Sequence, residues 1–117
     1  MTKEFTSLGL MSGTSGDGVD ASIIKSNGID KYEVIQDKYF EYESEIYKEF
    51  HSLKDKINKA NDLKIFQKEL KNLEKKITIF HAKVANDLIK NKNVDLVGFH
   101  GQTIYHNSNE KISNQLG

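Results

Sequence analysis

The sequence predicts an α/β fold, a three-stranded antiparallel meander followed by two helices and a further strand. Three observations carry this. Short β-rich runs separated by turn signals fill residues 3–42. Apolar residues at spacings of three and four fill most of residues 44–91. A compact apolar run then restarts at Val94, and the order strand, helix, strand is an α/β layout with a helical crossover. The chain reads as one unit with zones at 3–42, 44–91 and 94–106.

The first strand is expected over Phe5 to Met11, before the glycine-dense Ser12 to Gly18. Val19, Ala21 and Ile23 alternate with Asp20 and Ser22, the pattern of a half-buried strand. Asn27-Gly28 signals a two-residue turn, because both residues tolerate positive φ. A third strand follows from about Tyr32 to Tyr42. Ile46, Phe50, Leu53 and Ile57 form one helical stripe, and Asn61-Asp62 offers a break and an N-cap. Phe66, Leu70, Leu73, Ile77, Phe80 and Val84 form a second stripe, read as core; a partner-docking helix is the sharper alternative. Val94 to Phe99 is nearly all apolar, which predicts a strand buried on both faces. Beyond it the chain reads as a polar tail with a short strand near Thr103 to Tyr105.

Composition narrows the function. The 117 residues carry 17 basic and 17 acidic side chains, a balance that argues against a nucleic-acid binder held by phosphate neutralisation. Every basic residue is Lys, so no bidentate guanidinium clamp is available. The absence of Cys excludes a disulfide scaffold, a zinc finger and a thiol nucleophile. No stretch approaches the roughly 20 apolar residues of a membrane span, and the N-terminus lacks a signal-peptide pattern. A cytoplasmic protein is expected.

Two clusters carry chemistry. In Gly9-Leu10-Met11-Ser12-Gly13-Thr14-Ser15-Gly16-Asp17-Gly18-Val19-Asp20, glycines at 13, 16 and 18 let backbone N–H groups converge on an anion. Ser12, Thr14 and Ser15 add hydroxyls, and Asp17 or Asp20 is placed to hold Mg²⁺ through its waters. The segment lacks the Gly-Lys-Ser/Thr of a P-loop, so a plain glycine-rich hairpin competes with a phosphate loop. The second cluster is His100-Gly101-Gln102-Thr103-Ile104-Tyr105-His106, just after the last predicted strand, where ligands of α/β sheets gather. Gln102 can donate to and accept from a sugar hydroxyl, His100 can donate, accept or exchange a proton, and Gly101 leaves room for a ligand at the backbone. A structural imidazole is the rival reading of each histidine. His51 and His81 fall inside the predicted helices and receive no role.

Both clusters, in this order and at this separation, closely resemble the two signatures of the anhydro-N-acetylmuramic acid kinases, of the actin-like ATPase and sugar-kinase superfamily. The resemblance runs from residue 6 onward and covers about the first third of a family member. It implies a partial ribonuclease-H-like domain, with ATP and Mg²⁺ as cofactors. It implies ATP-phosphate contacts at Gly13, Thr14, Ser15, Gly16, Asp17, Gly18, Val19 and Asp20, and water-mediated metal contact at Asp17. Substrate contacts would fall at Ser12, His100, Gly101 and Gln102. The implied reaction opens the 1,6-anhydro bond of anhydro-N-acetylmuramic acid with water and phosphorylates O6, a step of peptidoglycan recycling. Gly16 stands where the family usually has a larger apolar residue, which predicts a looser loop without an apolar anchor. Asn107 stands where Pro is common. The family's catalytic Asp and second lobe are expected beyond residue 117, on a separate C-terminal polypeptide if the activity is to be complete, and the chain alone is expected to be inactive. Two alternatives stand beside this: a non-catalytic nucleotide- or sugar-binding remnant, and an α/β module that self-associates into homo-oligomers through an unpaired sheet edge.

Overall fold

A computed structural model describes residues 3–90, 92–107 and 112–117. The three predicted strands are present as β1 (Phe5–Met11), β2 (Gly18–Ser26) and β3 (Tyr32–Glu41). β1 and β2 pair antiparallel from Phe5 opposite Ser26 to Met11 opposite Asp20. β2 pairs antiparallel with β3, with a register shift between Ile23 and Ile24. The meander is therefore as expected. The sheet as a whole is mixed, because β4 (Leu96–Phe99) joins β1 in parallel and sets the order β3-β2-β1-β4.

The β2–β3 connection is longer than Asn27-Gly28 predicted. It spans residues 27–31, since the Asn27 Oδ1 accepts from the N–H groups of Ile29, Asp30 and Lys31 at 2.9–3.1 Å. One side chain thus braces the connection, which Asn27 N also closes by donating to Lys31 O at 3.2 Å.

The described residues form three helices, not two: α1 (Ser44–Lys56), α2 (Ala60–Ile65) and α3 (Gln67–Ile89), of which α3 packs on β1 and β2 while α1 and α2 pack on α3. The short α2 arises because Asp62 caps from inside the first turn. Its carboxylate accepts from Asn58 N at 2.9 Å and Lys59 N at 3.2 Å, so the break falls earlier than Asn61-Asp62 suggested. The stripe on α3 buries Leu70, Leu73, Ile77, Phe80 and Val84, which decides for core packing. They pack in one cluster with Leu8, Leu10, Val19, Ala21 and Ile23 of the sheet and Ile46, Phe50 and Leu53 of α1. Lys76 ties α3 to α1 by pairing with Glu45 at 2.8 Å and Glu49 at 3.0 Å. The helical zone was expected to run to 91; α3 ends at Ile89, and Asn91 lies outside the described residues.

Two expectations for the last zone are corrected. β4 is exposed at every position instead of buried on both faces. Leu96 and Val97 are 58% and 55% exposed, because β4 is an edge strand of the sheet. The segment after it is not merely a polar tail. β5 (Gln102–Asn107) and β6 (Ile112–Leu116) form an antiparallel hairpin of their own, and Ile104, Tyr105 and Leu116 join the core.

Candidate active site

The two chemical clusters meet at the carboxyl ends of β1 and β4. Parallel pairing places Leu10 opposite Phe99, and His100 N donates to Leu10 O at 3.2 Å as the chain leaves the sheet. Gly101 then turns the chain with φ 85°. A Cβ there would lie 2.9 Å from Leu116 O, so its open side faces the protein's own β6. Gly101 is needed for the turn and for that close approach.

Gln102 is fully buried and reaches across to the first cluster. Its Nε2 donates to Gly13 O at 2.7 Å and Thr103 O at 3.3 Å, and its Oε1 accepts from Tyr42 OH at 2.9 Å. The Tyr42 hydroxyl also lies 3.0 Å from Ser12 Oγ, and Ser12 Oγ lies 3.1 Å from His81 Nε2. On the far side of the ring, His81 Nδ1 donates to Ile77 O at 2.8 Å. Ser12, Tyr42, His81 and Gln102 are all buried. Burial pushes the Tyr42 phenol up, the Ser12 hydroxyl partly opposing it. Burial pushes the His81 imidazole down, with the Ile77 carbonyl partly opposing it. Neither Tyr42 nor His81 belongs to a motif, and helical periodicity made His81 look like a position without chemistry.

The first cluster divides into a loop and a strand. Residues 12–17 connect β1 to β2, with Gly16 N donating to Gly13 O at 3.2 Å. Thr14 and Ser15 are exposed at the tip. Gly18 and Val19 lie within β2, opposite Glu41 and Phe40. Gly18 is a packing glycine, for a Cβ there would meet Phe40 O at 2.2 Å. Gly16 adopts φ 70°, and a Cβ on it would lie 2.1 Å from Phe50 Cε1. The fully buried Phe50 ring of α1 occupies the space a larger residue 16 would need, so the loop keeps an apolar anchor after all.

The first cluster's two aspartates, Asp17 in the loop and Asp20 in β2, lie in different places. Asp20 lines an open cleft of about 520 Å³ on the helix-free face, together with Gly9, Met11, Ser22, Gly98 and His100. Gly9 and Gly98 are register partners, so the cleft floor is bare backbone. Asp17 faces a groove with Tyr39, Glu41, Tyr42 and Tyr47. Slight burial and the neighbouring Asp17, Glu41 and Asp20 push the Tyr39 phenol up. Among the described residues no three metal-ligating side chains converge, so a divalent cation here would depend on the ligand's own oxygens and on water. A cation already reaches the loop from α1: Lys54 Nζ donates to Thr14 O at 2.9 Å. Sequence reading passed over Lys54 because it sits among the solvated faces of a Lys-rich helix.

The family model for anhydro-N-acetylmuramic acid kinase matches residues 5–117. The chain belongs to that family. Among curated relatives of that name, the protein of Pelagibacter ubique is 59% identical over 119 residues, covering 100% of this chain and 32% of the relative. One from Rhodopseudomonas palustris is 36% identical over 120 residues, covering 96% of this chain and 32% of the relative. One from Caldanaerobacter subterraneus is 38% identical over 111 residues, covering 85% and 26%. The chain thus spans about a third of the length of the kinases it matches. Within that third, Gln102 joins the two chemical clusters through its hydrogen bond to Gly13.

Proposed function

We propose that this chain supplies the phosphate loop and part of the sugar site of a cytoplasmic, ATP-dependent kinase. The kinase acts on anhydro-N-acetylmuramic acid, hydrolysing its 1,6-anhydro bond and phosphorylating O6. The observation that carries the proposal is the Gln102–Gly13 hydrogen bond, which holds the two signatures in one fixed arrangement at the strand ends. The exposed tip at Gly13, Thr14 and Ser15 suits a phosphate chain, with Lys54 supplying the positive charge that the missing Arg cannot. ATP supplies the transferable phosphoryl group when bound. Mg²⁺ would be held mainly by phosphate oxygens and water, with Asp17 reached through a water.

His100 and Asp20 border the open cleft, where they can hydrogen-bond a sugar, and Gly9 and Gly98 let it lie against bare sheet. Gln102, Ser12 and Gly101 act from behind this surface: Gln102 and Ser12 hold the loop, and Gly101 sets the turn that aims His100. The chain contributes binding and orientation, while the base that activates water belongs to the remainder of the kinase length.

The test is to incubate the chain with ATP, Mg²⁺ and anhydro-N-acetylmuramic acid, alone and with a polypeptide carrying the remaining two-thirds of a relative. No turnover alone and turnover in the mixture are expected. Turnover by the 117 residues alone would overturn the division of labour.

A second reading rests on β4, whose exposed Leu96, Val97 and Phe99 make an apolar strand edge. It casts the chain as a self-associating module. A light-scattering mass that stays monomeric up to millimolar protein would sink it.

A further inference from the structure

Under the loop, three polar contacts must share two hydrogens. The Gln102 Nε2 hydrogens go to two carbonyls, Gly13 O and Thr103 O, so its Oε1 faces Tyr42 and can only accept. The Tyr42 hydroxyl therefore gives its single hydrogen to Gln102. Ile77 O can also only accept, so the hydrogen of a neutral His81 ring sits on Nδ1 and Nε2 is bare. Ser12 then has one hydrogen for two neighbours, Nε2 at 3.1 Å and the Tyr42 oxygen at 3.0 Å. One contact is left without a hydrogen. A second proton on His81 removes the deficit: Nε2 donates to Ser12, Ser12 to Tyr42, and Tyr42 to Gln102. The whole chain then runs in one direction, ending on the side chain that holds Gly13.

We propose that His81 is a positioning residue for the phosphate loop, setting the direction of the Ser12–Tyr42–Gln102 hydrogen-bond chain and, through Gln102, the placement of Gly13. This rests on the reading of residues 13–17 as a ligand loop only for its purpose; the coupling itself is a property of the free protein. The surroundings of His81 make it the natural source of the missing hydrogen. β4 presents the Phe99 ring, centred 4.6 Å from the imidazole. The segment after β3 presents Tyr42, the titratable group that faces His81. The end of β1 presents the Ser12 hydroxyl, and α3 itself presents the Ile77 carbonyl. None of the ion pairs among the described residues involves His81, and no carboxylate or ammonium perturbs its titration. Burial lowers its proton affinity and the completed chain raises it. Negative charge arriving at the loop would favour the protonated form further.

The experiment is an imidazole and amide ¹⁵N NMR titration of the 117-residue chain between pH 8 and 5, without ligand. At pH 8 the His81 hydrogen is expected on Nδ1. As His81 protonates, the Gln102 side-chain amide and the Gly13 and Thr14 amides should move with the same midpoint. In Tyr42→Phe, His81 should still titrate while the Gln102 amide no longer follows it. In His81→Gln the pH dependence of the Gln102 signals should be lost. Gln102 signals that stay flat through the wild-type His81 titration, or a neutral His81 carrying its hydrogen on Nε2, would overturn the proposal without any variant needing to fold. Since no nucleotide is present, a failure to bind ATP would count against the kinase reading and leave this result standing.

Discussion

The two faces of the four-stranded sheet are built on opposite plans. On the helix-covered face, Leu8, Val19 and Ile23 are fully buried within one apolar cluster shared with the helices. On the open face, the same strands present Gly9, Met11, Asp20 and Ser22 beside Gly98, with nothing laid over them. Strand alternation forces this split, since adjacent residues point to opposite sides. The covered face supplies stability, and the open face keeps polar and bare-backbone surface at the strand ends, where the two chemical clusters meet. The buried polar cluster of Ser12, Tyr42, His81 and Gln102 joins the two, because it is rooted in the helices and ends at the loop.

Substitutions on the covered face should be the most damaging. Phe50→Ala removes a fully buried ring that fills the space beside Gly16, and should cost about 3–5 kcal/mol in denaturant unfolding. Gly16→Ala should also destabilise, through its φ of 70° and its overlap with Phe50, and Phe50→Leu should relieve part of that cost. Additive effects of the two changes would contradict the anchoring of the loop by Phe50.

The junction comes next. Tyr42→Phe leaves Gln102 Oε1 without its donor in a buried site and should cost about 1–3 kcal/mol, read by the urea midpoint at constant slope. His81 gives the junction a pH dependence. Its folded-state affinity for a proton lies below the ordinary imidazole value, so below about pH 6.5 the unfolded chain binds the proton first. The stability this contributes is complete above that pH and is lost progressively as pH falls toward the folded-state value. Thermal melts from pH 8 to 5 should show this loss, diminished in His81→Gln, and a variant that loses stability as steeply as wild type would assign the acid sensitivity elsewhere.

The meander and both helical stripes were legible in the sequence because each has a period that one buried face imposes: two for Val19, Ala21 and Ile23, near 3.6 for Phe66 to Val84. β4 was misjudged because an apolar run reports only what a strand is made of; its place at the sheet edge depends on pairing with β1, eighty-odd residues away. The β5–β6 hairpin escaped notice because its second strand, ISNQL, is mostly polar and buries only Leu116. At the site, the motifs located both ends of the junction but not its middle. Tyr42 and His81 come from a strand exit and a helix, and only the fold brings them to Ser12. Lys54 was hidden for the same reason, one lysine among many until Thr14 is placed beside it.

The open face should be the most tolerant of change. Gly9 has no heavy atom within 4 Å of an added Cβ, so Gly9→Ala should leave stability within about 0.5 kcal/mol while narrowing the cleft floor. Calorimetric titration with anhydro-N-acetylmuramic acid checks this: weaker binding at unchanged melting temperature is expected. A large loss of stability would mean that this face is packed after all.

The division between the faces is tested most directly by mapping amide shifts of the ¹⁵N-labelled chain on addition of ATP with Mg²⁺. The prediction is a contiguous set of changes at Gly13 to Asp17 and Asp20, extending through Gln102, with the solvent faces of α1 and α3 silent apart from Lys54. Changes confined to the helices, or none at millimolar nucleotide, would contradict the assignment of the loop as the phosphate site.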